Sequence, residues 1–443
     1  VSGRGLIIAA PASGSGKTLV TAGLLRHLRW RGMRIAAAKA GPDFIDPTFH
    51  AAAAGAPCVN LDVWAMQPAT LAALVTELGQ ACDLVLCEGV MGLFDGTGAD
   101  GETGSTAELA RITGWPVVLV VDARGQGASS AALLRGFLSH RADISIAGVI
   151  FNRVASERHR SVLSGAVARH LPNFAVLGAL PADPAMTLPS RHLGLVPAEE
   201  GETTEPAIAR TAAHIASGVD IDRLFRLARP ARLAAKASSI GIPPLGQRIA
   251  IAHDDAFRFA YPILLTGWRR AGAELSYFSP LADEPPNPIA DAVYLPGGYP
   301  ELWATHLAAA EGFLNGLRRA AALKRSIYGE CGGYMVLGRA LTDAAGRTHR
   351  MADLLPLETS FAARKLQLGY RSTMLLGNGP LGRAGSAFRG HEFHYATVLR
   401  EDGAEKLWSI SDTAGIDLGH CGLRRDSVFG SFIHLIDSAD LLL

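Results

Sequence analysis

The sequence predicts an α/β protein of two domains, and three observations carry that expectation. From residue 1 to about 220, short apolar runs alternate with longer helical patterns, the order that builds a mainly parallel sheet. A second series of the same kind restarts at Arg248. Between the two, residues 241–246 read Gly-Ile-Pro-Pro-Leu-Gly, whose glycines and prolines resist continuing a helix. The boundary is therefore expected near 225–247, with domains at 1–225 and 248–443 and a linker at 226–247.

Taken in order, the first apolar run covers residues 6–10, and a helical pattern follows through Leu19, Leu24, Leu25 and Leu28. Further strand-like runs lie at 35–38, 84–87, 117–121 and 146–151. In the second series the runs are 248–252, 292–295 and 326–328. No repeat of fixed period is present, and the abundance of Ala and Gly is a bias of composition without functional content.

With 443 residues, 49% of them hydrophobic, the chain can bury more than one core. The 42 basic and 41 acidic side chains nearly cancel, so no global field points to nucleic acid and no single-sign tail points to a membrane surface. Five irregularly spaced cysteines, Cys58, Cys82, Cys87, Cys331 and Cys421, argue against a disulfide framework and against a paired-cysteine zinc site. The first residues read as a strand without a basic leader, and runs such as 116–121 are far too short to span a bilayer. The cytoplasm is the expected compartment.

Gly14-Ser15-Gly16-Lys17-Thr18 stands between a strand and a helix, where glycines let backbone N–H groups approach phosphate oxygens. Lys17 then spans the terminal phosphates of ATP and Thr18 offers its hydroxyl to Mg²⁺. The usual loop has Gly five residues before Gly16, where this chain has Pro11, so the literal pattern fails. Polar residues also follow the next strands: Lys39, Asp43 and Asp46 after one, Glu88 and Asp95 after another. Ligands of open α/β sheets bind outside the carboxyl ends of strands. A lysine and several carboxylates there suit one Mg²⁺ with phosphates. Asn152 and Asp183 stand where an adenine is read by amide and backbone groups, although either could be a turn residue. The segment Arg191-His192-Leu193-Gly194-Leu195 adds cationic capacity for an anionic substrate or forms a surface pair.

Gly329-Glu330-Cys331-Gly332-Gly333 likewise joins a strand to a helical pattern, a turn that exposes a nucleophile while the glycines relieve steric strain. A helix N-terminus beside Cys331 favours thiolate. The loop Leu295-Pro296-Gly297-Gly298-Tyr299-Pro300 is a source of oxyanion donors, with Gly298 and the Gly332 N–H as candidates. His434 is the expected general base, with His391 and His394 as competitors. Alternation puts His391 and His394 on opposite faces of one strand, which argues against a two-histidine metal site.

Together these segments make the chain resemble the cobyrinic acid a,c-diamide synthase family over nearly its whole length. The resemblance rests on residues 13–18, 39–46, 88–96, 191–196, 295–301, 329–338, 390–395 and 431–434, in that order. It implies an N-terminal P-loop domain like that of dethiobiotin synthetase, whose loop is one residue longer and places Ala10 at the first glycine. It also implies a C-terminal class I glutamine amidotransferase domain of flavodoxin-like type. Ammonia released at Cys331 from L-glutamine would amidate the a and c carboxylates of a corrin-ring acid activated as acyl phosphates. Hydrogenobyrinic acid is preferred over cobalt-bearing cobyrinic acid. By the same resemblance Lys17 and Lys39 are phosphate ligands, Thr18, Asp46 and Glu88 are Mg²⁺ ligands, and Asp43 and Asp95 lie near the reacting carboxylate. The acidic roles could interchange.

One departure stands out: class I amidotransferases usually have Glu two residues after the catalytic histidine, where this chain has Ile436. A Cys331–His434 dyad is expected, with the group that orients His434 unidentified. Cobyric acid synthase and sirohydrochlorin diamide synthase are related alternatives. A regulatory P-loop ATPase with an inactive appendage is a different class, disfavoured because Ala12 and Ser13 supply no second signature lysine. The sequence leaves the oligomeric state open, with a homodimer as the option named.

Overall fold

The computed structural model describes residues 3–98, 100–186, 190–191, 194–195, 204–233 and 241–439. It divides into two compact units, one of residues 1–64 and 68–238, the other of residues 65–67 and 239–443.

In the first unit seven parallel strands run in the order β3-β2-β4-β1-β5-β6-β7. They are β1 (Arg4–Ala9), β2 (Ile35–Ala40), β3 (Cys58–Leu61), β4 (Leu84–Glu88), β5 (Val117–Asp122), β6 (Ile146–Val154) and β7 (Ala175–Pro181). A two-residue strand, Arg229–Pro230, pairs antiparallel with β1. All five expected runs are strands, and β3 and β7 are additional. The former is short and carries Asn60, so it lacks a plain apolar signature.

Strand ends extend further than the apolar runs. Lys39 lies within β2, Glu88 closes β4 and Asn152 lies within β6. These three, expected just beyond strands, belong to them because backbone pairing continues after the side chains cease to be apolar, whereas Asp43, Asp46 and Asp95 do follow the strands. The helix α1 (Lys17–Trp30) packs Val20, Leu24, Leu25 and Leu28 into a core with Leu6 and Ile8 of β1. The helix α2 (Asp46–Ala54) begins with Asp46 and Pro47, an acidic side chain and a fixed φ that both suit a first helical turn.

The second unit holds a ten-stranded sheet whose first half is parallel: Glu274–Phe278, Arg248–Ala252, Ala292–Leu295, Ser326–Glu330 and Val428–Ser431. The three expected strands are its middle members. Five antiparallel strands extend it: Asp417–Arg425, Glu405–Ser411, Gln367–Leu375, Ala387–His394 and Ile433–Ser438. Much of this extension has one solvated face, so its strands do not read as apolar runs. A separate four-stranded sheet contains Leu357–Ser360.

Packing beside β1 sets a measurable limit. A methyl on Gly5 would stand 2.0 Å from the buried Trp115 ring, whereas one on Gly136 in the helix Ser129–His140 would meet open space. Overfilling a packed core typically costs about 1–3 kcal/mol, and removing a glycine from the unfolded chain stabilises by roughly 0.4–1 kcal/mol. Gly5→Ala is expected to lower the denaturant midpoint and Gly136→Ala to leave it unchanged or raise it.

Candidate active sites

The P-loop glycines adopt backbone that side chains avoid: φ is 77° at Gly14 and 97° at Gly16, the residue that caps α1. A methyl on Gly16 would meet Asn152 Nδ2 at 2.3 Å. Asn152 donates to the Ser15 carbonyl at 2.9 Å, and Arg153 Nη1 donates to the Gly14 carbonyl at 2.8 Å and to Asp122 Oδ2 at 2.6 Å. The end of β6 thus holds the loop by its carbonyls, on the side away from the N–H groups expected to meet phosphate. Asn152 and Asp183 share a small pocket with Gly16, Leu19, Arg153 and His214. Asp183 also accepts from Ala185 N at 2.8 Å, so its carboxylate shapes its own turn.

Beside the loop, Lys17 donates to the Met91 carbonyl, while Thr18 Oγ1 is 2.8 Å from Glu88 Oε1 and 3.4 Å from Asp46 Oδ2. Lys39, buried in β2, donates to the Gly89 carbonyl at 3.1 Å and pairs with Asp46 at 3.6 Å. The structure therefore brings Lys17, Thr18, Lys39, Asp46 and Glu88 together. Burial opposes the charge of Glu88, but Lys39 and then His50 and Thr18 outweigh it and hold the carboxyl at about 2. Burial likewise opposes the charge of Lys39, yet Glu88, Asp46 and Asp43 raise its pKa above the ordinary value. Burial lowers that of Lys17. Asp46 is pushed well above the usual range by burial and by Asp43 and Glu88, a surplus of negative potential that a bound cation would relieve.

Asp43 accepts from Ile45 N at 2.8 Å and Asp95 from Gly92 N at 2.9 Å, so each steadies its own loop. His50 was not singled out in the sequence. It is fully buried, with Nε2 2.5 Å from Glu88 Oε2, and it sits among alanines that gave no local sign of a role. No group of three or more His, Cys, Asp or Glu side chains suited to a metal occurs among the described residues. Two carboxylates and a hydroxyl nevertheless form the partial oxygen set that Mg²⁺ takes while keeping water and phosphate ligands. His192 and Leu193 of the cationic segment lie outside the described residues.

In the second unit, Cys331 sits between the strand Ser326–Glu330 and the helix Gly332–Leu337 with φ 47° and ψ −104°. Such backbone costs on the order of 1–3 kcal/mol and persists only where its surroundings enforce it. Here Cys331 N donates to the Ser431 carbonyl at 2.8 Å and Gly333 N to Pro296 at 3.1 Å. Around the turn a β-carbon on Gly333 would stand 2.0 Å from the Leu295 carbonyl oxygen, and one on Gly430 2.4 Å from that of Gly329. Burial, and then Glu301, raises the Cys331 thiol above its ordinary range, while the Gly332 N–H lowers it. Deprotonation therefore needs a base.

His434, the histidine expected to serve, lies across Gly297 from the cysteine. A β-carbon on Gly297 would lie 2.4 Å from His434 Cε1, 3.1 Å from Nε2 and 3.3 Å from Cys331 Cβ, so bare backbone separates imidazole and cysteine. Burial, followed by His391 and His394, lowers the His434 pKa to about 3, which keeps the ring neutral and able to accept a proton. Gly298 belongs to the same corner, since a methyl on Gly332 would come within 3.0 Å of Gly298 N. His391 pairs in register opposite His434. His394 contacts the Ala396 carbonyl and Glu392, both at 3.1 Å, and stacks on Phe432.

A buried carboxylate absent from the sequence assignment also lies here: Glu330 Oε2 is 3.7 Å from His434 Nδ1 and accepts from Tyr294 Oη at 2.7 Å. A glutamate ending a buried strand was the available signal.

Gly297→Ala should push a methyl into the imidazole and lower glutamate release from glutamine by at least ~100-fold, the scale of losing general-base assistance. Nucleotide affinity, read by titration calorimetry, should stay at the wild-type value.

A nucleotide-binding unit and a thiol glutaminase unit on one chain define a glutamine-dependent amidoligase. Residues 6–196 match the CobQ/CobB/MinD/ParA nucleotide binding domain and residues 248–440 the CobB/CobQ-like glutamine amidotransferase domain. The chain is 54% identical over 436 residues to a hydrogenobyrinate a,c-diamide synthase of Brucella suis, covering 98% of each chain. It is 50% identical to the protein of that name from Rhizobium meliloti, covering 99% of this chain and 100% of the relative. The chain belongs to the hydrogenobyrinate a,c-diamide synthase family.

Proposed function

We propose that this chain amidates the a and c carboxylates of hydrogenobyrinic acid in cobalamin biosynthesis, consuming ATP and glutamine. The carrying observation is the strained Cys331 beside His434 in a chain that also holds the Lys17–Thr18–Glu88 cluster, matched end to end by relatives of that name. The metal-free acid is preferred to cobyrinic acid because both relatives are named for it.

In the glutaminase unit His434 takes the thiol proton and Cys331 attacks the side-chain amide carbonyl of glutamine. The Gly298 and Gly332 N–H groups hold the oxyanion. Collapse expels ammonia, which receives the proton from His434, and water hydrolyses the glutamyl thioester to glutamate. In the nucleotide unit the substrate carboxylate oxygen attacks the γ-phosphorus of ATP, breaking its bond to ADP. Lys17 and Lys39 face the phosphates, and Asn152 and Asp183 border the nucleoside. Thr18, Asp46 and Glu88 would hold Mg²⁺, which when bound offsets phosphate charge. Asp43 and Asp95 border the acceptor carboxylate. Ammonia then displaces phosphate from the acyl carbon, giving the amide. The domains of the reading are 1–225 for ligation and 248–443 for glutamine hydrolysis, joined at 226–247. No described helix is long and apolar enough to cross a membrane. A cytoplasmic setting suits a thiol nucleophile and an ATP supply.

Incubation with ATP, Mg²⁺, glutamine and either hydrogenobyrinic or cobyrinic acid should give product with two acid-to-amide exchanges by mass spectrometry, faster with the metal-free acid. Cys331→Ser should lose this glutamine-driven product, and ammonium chloride should restore it. Glutamine hydrolysis with no exchange on either acid would remove the proposed acceptor.

A further inference from the structure

We propose that Glu330, the residue immediately before the nucleophile, is the positioning residue for His434 and takes the place of the carboxylate that class I amidotransferases carry two residues after the histidine. The inference rests on the glutaminase reading of this unit.

Ile436 occupies the usual position and is 3% exposed, so it supplies neither charge nor hydrogen bond. Glu330 is 1% exposed, and its Oε2 lies 3.7 Å from His434 Nδ1. Two groups from two segments hold the carboxylate: Tyr294 Oη donates to Oε2 at 2.7 Å and Leu435 N donates to Oε1 at 3.2 Å. Such anchoring leaves it few other orientations. The Leu435 contact also ties the carboxylate to the backbone next to the histidine it faces.

At 3.7 Å the pair is within ion-pair reach and longer than a hydrogen bond. Catalytic contacts of unliganded enzymes are often long and tighten once charge develops. When His434 accepts the thiol proton at Nε2, the ring becomes an imidazolium, and the Glu330 carboxylate faces the positive Nδ1–H. Near the ring are also Cys331 across Gly297, and His391 and His394 from the strand Ala387–His394, while Glu301 and Glu392 act on the Cys331 thiol. Both histidines disfavour a positive His434, and the Glu330 carboxylate 3.7 Å from Nδ1 offsets that charge. Its own carboxyl is raised to about 7 by burial, with Tyr294, Leu435 N and Tyr328 acting in the opposite sense. The ionised form therefore prevails above neutrality and the protonated form below it. Support for the imidazolium strengthens as pH rises through that region.

The test compares wild type, Glu330→Gln and Glu330→Asp for glutamate release and for the rate of Cys331 alkylation by iodoacetamide from pH 5 to 9. Glutamine keeps the shape and an acceptor for Tyr294 but not the charge. Glu330→Gln is expected to lower kcat by ~10–100-fold at nearly constant KM, to raise the midpoint of Cys331 alkylation and to lose the acid limb near pH 7. Glu330→Asp should recover part of both. Equal kcat and equal alkylation profiles in all three proteins would overturn the proposal. So would losses in both variants that only track a fall in thermal unfolding temperature with the alkylation midpoint unmoved. If wild type releases no glutamate, the glutaminase reading fails, and the alkylation profile still decides whether Glu330 acts on the Cys331–His434 pair.

Discussion

Bare backbone at the carboxyl end of the strand Ser326–Glu330 is the constraint on which the thiol site depends. Cys331 can hold φ 47° because Gly329, Gly333 and Gly430 bring backbone closer than any β-carbon allows. Gly297 applies the same rule between His434 and the cysteine. Close approach comes first, and the nearness of Cys331 to His434 follows from it. The strain at Cys331 is maintained by backbone hydrogen bonds from segments on either side, so reactivity is built into the sheet itself.

Unit one solves a different problem, that of burying charge. Glu88 and Lys39 are almost inaccessible, and each would be expensive to bury alone. They persist because Thr18, His50 and Asp46 join them in one network at the ends of β2 and β4 and the start of α1 and α2. Asp46 stays above the usual carboxylate range because burial, Asp43 and Glu88 all oppose its charge. A P-loop whose carbonyls are fastened by Asn152 and Arg153 presents its amides to negative charge.

Hydrophobic surroundings set the acid–base character of the thiol site as much as its polar groups do. Burial lowers the His434 pKa and raises that of the Cys331 thiol, so the site favours the neutral form of both groups. A buried glutamate held by Tyr294 and the Leu435 N–H lies 3.7 Å from His434 Nδ1. Tyr294 and Tyr328 stack within the sheet, so the anchor of the carboxylate is also core.

By itself the sequence determined the α/β class, the restart of a second unit near residue 248, the phosphate loop, and Cys331 with its glycines. These are local signals: apolar spacing writes strands and helices, and glycines around a nucleophile or phosphate loop answer a steric need a few residues wide. The antiparallel half of the second sheet was not legible as apolar runs because its strands need not bury both faces. The identities of Lys17, Thr18, Lys39, Glu88 and His434 could be read as candidates, but their meeting could not. Only the tertiary structure decided that Asp43 and Asp95 steady their own loops, that His50 reaches Glu88 from 38 positions away, and that Glu330 faces His434. Contacts between residues distant in the chain depend on strand order and register, which no local pattern encodes.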